Sequence, residues 1–86
     1  SRRLDGPISR PSIETWTRAR PGGVVRAKGL VRVTDRPNDR TVLQICGSST
    51  MVSVDGPWDD GEDAVVAIAL PGTPRAALVK WLNLLR

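Results

Sequence analysis

The chain has 86 residues, a formal net charge of +4, 40% apolar and 26% charged residues, and no His, Tyr or Phe. That length holds one domain with one core, the mixed-sign, apolar-rich content belongs to a folded protein and not to a disordered tail, and the absence of His removes the commonest zinc ligand together with the usual general base. No apolar run approaches the roughly 20 residues that cross a bilayer, and no charged-then-apolar leader opens the chain, so we expect a soluble, cytoplasmic protein without a membrane partner. Its first residue is Ser rather than Met, which points to a processed or excised piece.

In chain order, Ser1 to Asp5 reads as a short edge strand, and Gly6-Pro7 breaks the backbone before a helix that Ser9 can cap and that tolerates Pro11 in its first turn. Ile13 and Trp16 share its apolar face, and Pro21-Gly22-Gly23 ends it. From Gly22 to Val33 the side chains sort at a period of two: Val25, Ala27, Gly29, Val31 and Val33 face a core, while Arg26, Lys28 and Arg32 face outward with Val24 and Leu30 beside them. Asp35 to Asp39 reads as a turn, followed by a hairpin partner over Thr41–Gly47 with Leu43 and Ile45 opposite Val42, Gln44 and Cys46. Met51 to Val54 gives a shorter strand. Asp63 to Leu70, nearly all apolar with Val66, Ile68 and Leu70 opposite Val65, Ala67 and Ala69, is expected at the middle of the sheet. Thr73-Pro74 predicts the cap and first position of a closing helix, with Leu78, Trp81, Leu82 and Leu85 in one stripe, Ala77 extending it and Arg86 at its negative end. These elements make an α+β domain: a mainly antiparallel sheet of four to five strands with two helices.

Charge and chemistry narrow the function. Residues 1–40 carry a net +6 and residues 41–86 a net −2, and eleven of the thirteen bases are Arg. An Arg-rich half suits ion pairing within the domain, docking on an acidic protein, or nucleic acid. No aromatic interleaves the basic strand, which disfavours nucleic acid. Cys46 is the sole cysteine, so no internal disulfide exists, and without His it has no usual base to make it a nucleophile. The loop Asp55–Asp63 gathers five carboxylates and Trp58, but their spacing departs from a calcium loop and Pro57 stiffens it. A solvated loop and an acidic patch paired with the domain's own Arg remain. No Gly-x-x-x-x-Gly-Lys-Ser/Thr run is present, and no catalytic constellation emerges.

The run Val24-Val25-Arg26-Ala27-Lys28-Gly29-Leu30-Val31-Arg32, its strand partner, the Gly56-Pro57-Trp58 loop, the apolar strand and the closing helix resemble the C-terminal domain of CobW-type proteins over nearly the whole chain. The resemblance implies one domain over residues 1–86 with two helices on one face of its sheet, forming the tail of a P-loop GTPase that handles zinc or cobalt or serves cobalamin assembly. On that reading no catalytic, cofactor or metal residue lies in this chain. GTP, Mg and Zn or Co bind in a domain upstream, and the tail serves partner recognition or regulation.

Arg26, Lys28 and Gly29 match the family's signature strand and Trp58 its loop aromatic. Arg26, Lys28 and Arg32 are the candidate docking face for the GTPase domain or a metal-accepting client. Gly29 and Trp58 are read as structural, Gly29 giving a helix close approach and Trp58 plugging a sheet end. The alternative is a free-standing nucleic-acid binder using the same stripe with Arg36 and Arg40. An open sheet edge leaves room for a homo-oligomer.

Overall fold

The computed structural model describes residues 2–59, 61 and 63–86. Seven elements follow one another: β1 (Arg2–Arg3), α1 (Arg10–Arg18), β2 (Val24–Val33), β3 (Arg36–Cys46), β4 (Ser49–Pro57), β5 (Ala64–Ala69) and α2 (Arg75–Leu82). The strands form a five-stranded sheet in the order β1-β5-β2-β3-β4, every neighbouring pair antiparallel. The α+β architecture expected from the sequence is therefore present. The middle strand is β2, not the apolar β5, which lies beside the two-residue edge β1.

Antiparallel alternation gives the sheet two unlike faces. On one, Ala27, Val31, Leu43, Ile45 and Val65 are buried with Ile13 and Trp16 of α1 and Trp81 and Leu82 of α2, so both helices cover the same side. Trp16 and Trp81 stack at the centre, ring centroids 4.7 Å apart and planes within 10°. Burying two large aromatics against each other is how a chain this short builds a core from so few large side chains.

Local chemistry sets the ends of the helices. Ser9 caps α1, its hydroxyl accepting from the Ser12 amide, and its own amide donates to the Arg86 carbonyl, tying the C-terminus to the start of α1. Asp35 accepts from Arg10 and holds that guanidinium above its ordinary pKa, pinning the helix to the β2–β3 turn. At α2 the expectation fails by one residue. Pro74 is the N-cap, and the Thr73 hydroxyl donates instead to the Leu70 carbonyl in the preceding turn. The helix stops at Leu82, so buried Leu85 and exposed Arg86 lie beyond it and Arg86 does not sit in its last turn.

Three further expectations change. The β2–β3 turn takes only Thr34 and Asp35, and β3 already starts at Arg36. β4 is nine residues long rather than four, absorbing Asp55, Gly56 and Pro57. Val24 is buried although Arg26 is outward on the same parity, because a register shift between Val24 and Arg26 in the β2–β5 ladder turns the start of β2 over.

Candidate docking face

Among the described residues no helix covers the second face of the sheet. Its rows follow from the register: Cys46, Arg26 and Ile68 lie side by side, then Met51, Gln44, Lys28 and Val66, then Ser53, Val42, Leu30 and Ala64. Arg26 and Lys28 thus occupy the central strand of the bare face, flanked on β5 by exposed aliphatics, Val66 at 52% and Ile68 at 57% exposure. A shallow groove of about 250 Å³ runs between them, lined by Arg26, Lys28, Gln44, Cys46, Val66 and Ile68.

The three predicted docking residues divide into two kinds. Arg26 and Lys28 are exposed and form no ion pair among the described residues. Arg32 is half-buried: its Nε donates to both carboxylate oxygens of Asp63, at 3.2 and 3.3 Å, and its guanidinium lies 5.1 Å from the centroid of the Trp58 ring. Asp63 is only 4% exposed, so Arg32 neutralises a carboxylate that water barely reaches. Trp58 sits half-buried with its amide donating to the Asn38 carbonyl.

Arg40 does for β4 what Arg32 does for β5, donating to the Asp55 carbonyl and carboxylate and to the Asp59 carboxylate. Of the two readings left open for the acidic loop, pairing with the domain's own Arg describes Asp55, Asp59 and Asp63; Asp60 and Glu62 lie outside the described residues. Arg36, the first residue of β3, pairs with Asp39 three residues on. Of the five bases that the nucleic-acid alternative invokes, Arg32, Arg36 and Arg40 are ion-paired within the domain, whereas Arg26 and Lys28 form no ion pair among the described residues.

Gly29 faces the core, as expected, but what crowds it is not a helix. An added Cβ would stand 2.9 Å from Cγ2 of Val65 and 3.6 Å from Cβ of Leu43, its neighbours on β5 and β3. The aliphatic frame of Val66 and Ile68 around the two cations was missed from sequence. The period of β5 grouped those residues, but only the ladder shows which strand stands beside Arg26 and Lys28.

Among the described residues no group of three or more Asp, Glu, Cys or His could hold a metal ion, and no helix is long and apolar enough to cross a membrane. The face offers positive charge in an aliphatic setting, which suits recognition of carboxylates.

Comparison with known proteins matches residues 1–83 to the cobalamin synthesis protein CobW C-terminal domain. Among solved structures, the Zn(II)-bound YjiA GTPase from E. coli superposes with a TM-score of 0.73 at 20% identity over 99% of this chain. A Zn(II)-bound triple mutant of YjiA superposes with a TM-score of 0.70 at 18% identity over 99% of this chain. The chain spans 28% of the length of each. A search of curated proteins found no match.

Proposed function

Since the chain belongs to the CobW C-terminal domain family, we propose that it is the non-catalytic docking and regulatory domain of a CobW-like GTPase that handles zinc or cobalt or serves cobalamin biosynthesis. One observation carries this reading: among the described residues, helices cover only one side of the sheet, and the centre of the other side holds Arg26 and Lys28, which form no ion pair there, in an aliphatic frame. A face of that kind gains most from a partner that presents carboxylates within apolar surface, because the bases then pair in a desolvated setting. The partners on this reading are the protein's own GTPase domain and a metal-accepting client in the cytoplasm. GTP and Mg bind upstream of this chain, and the Zn(II) held by YjiA supports zinc as the metal handled. Arg32 supports the docking face indirectly, by anchoring Trp58 and the segment before β5 through Asp63.

The parentage is tested by sequencing the native coding DNA upstream of Ser1. A continuous frame encoding Gly-x-x-x-x-Gly-Lys-Ser/Thr and a Cys-rich segment is expected. A start codon next to Ser1 would overturn it.

A further inference from the structure

The β4 edge is a second unpartnered surface, distinct from the Arg26–Lys28 face. From Ser49 to Val54 it runs Ser-Thr-Met-Val-Ser-Val, without charge, proline or glycine, and all nine residues of the strand are exposed. Only one flank of β4 is paired, with β3. Soluble proteins blunt such edges with charge, proline, bulges or brevity. The opposite edge follows that rule, since β1 has two residues and both are Arg. β4 does not follow it until its end, where a register shift against β3 after Val54 coincides with Asp55-Gly56-Pro57, and Met51 stands 58% exposed.

Helix α1 lies alongside this edge. Ile13, Glu14, Thr17 and Arg18 of the helix and Thr50 and Val52 of the strand line a groove of about 340 Å³. Glu14 and Arg18 are exposed, and neither forms an ion pair among the described residues.

We propose that β4 pairs antiparallel with β4 of a second copy, joining the two sheets across a two-fold axis. Such an axis, normal to the sheet at the seam, runs α1 antiparallel to its mate and sets Glu14 of each copy towards Arg18 of the other. The seam is therefore self-complementary in charge, while Ser49–Val54 of each strand carries no charge to repel the other. A foreign strand would complete the backbone ladder but leave both helix charges unanswered; a second copy satisfies them reciprocally. Each copy spends the same edge, and β1 is too short to propagate the sheet, so the assembly closes at two. This pairing uses the backbone edge of β4 and not the Arg26–Lys28 centre of the bare face, and it does not rest on the function proposed above.

Sedimentation of the 86-residue chain from micromolar to millimolar concentration tests it. The chain is expected to dimerise, and Val52→Lys, at an exposed position, is expected to leave a folded monomer throughout. Glu14→Arg and Arg18→Glu, which set like charges across the seam, should each weaken the dimer about tenfold. An equimolar mixture of those two variants should recover the original affinity, because opposite charges then meet at both ends. That mixture tests the seam without touching the strand. A chain that stays monomeric, a dimer indifferent to Val52→Lys, or a mixture no tighter than either variant alone would overturn the proposal.

Discussion

Nε1 of Trp81 donates a 2.6 Å hydrogen bond to the backbone carbonyl of Trp16, and the two indoles stack at 4.7 Å, so one pair of residues joins α1 to α2 by both a polar and an apolar contact. The pair is asymmetric. Nε1 of Trp16 is buried with no hydrogen-bond partner among the described residues. Trp81→Phe and Trp16→Phe remove similar volume, but only the first breaks a bond and strands a buried carbonyl. Trp81→Phe should therefore be the more destabilising by about 1–2 kcal/mol in urea unfolding. Equal losses would mean that the bond adds nothing to the stack.

Arg32 and the pair Arg26 and Lys28 should separate cleanly in stability. Arg32→Ala leaves the nearly buried carboxylate of Asp63 without its cation and should cost about 2–3 kcal/mol. Trp58 emission should shift to the red as the ring loses its guanidinium cover. The double change Arg26→Glu with Lys28→Glu touches exposed groups without ion pairs and should stay within about 0.5 kcal/mol of the parent. Thermal unfolding of the two variants side by side decides it.

Gly29→Ala places a methyl 2.9 Å from Cγ2 of Val65 in the centre of the sheet. Overpacking there should cost about 1–3 kcal/mol. Combining it with Val65→Ala, which removes the clashing methyl, should show a favourable coupling in a double-mutant cycle. Strictly additive losses would place the strain elsewhere.

Ser9 both caps α1 and donates to the carbonyl of Arg86. Ser9→Ala should cost about 1–2 kcal/mol and raise amide exchange in the first turn of α1 and in the last residues of the chain together. Faster exchange in only one of those segments would show that cap and tether are independent.

Much of this architecture is legible along the chain because period-two alternation in β2, β3 and β5 and the Ser9 and Pro11 signals are local. What was misread depends on neighbours. β5 reads as a central strand because it is apolar on both faces, yet Val66 and Ile68 are apolar on a face that no element covers. Val24 keeps the parity of Arg26 in sequence but lies across a register shift that only the pairing with β5 creates. Thr73 has the side chain of a cap, and the nearby Leu70 carbonyl captures it first. For the candidate face, Arg26 and Lys28 could be read from their strand alone. The diversion of Arg32 could not, since Asp63 reaches it from 31 residues away.

Titration of the GTPase half with this domain, parent against the Arg26→Glu, Lys28→Glu double variant, tests the account most directly, with calorimetry reading the affinity and circular dichroism confirming the fold. The account predicts an affinity at least tenfold weaker for the variant and an unchanged fold. Equal affinity for the two would contradict it and remove the bare face of the sheet from docking.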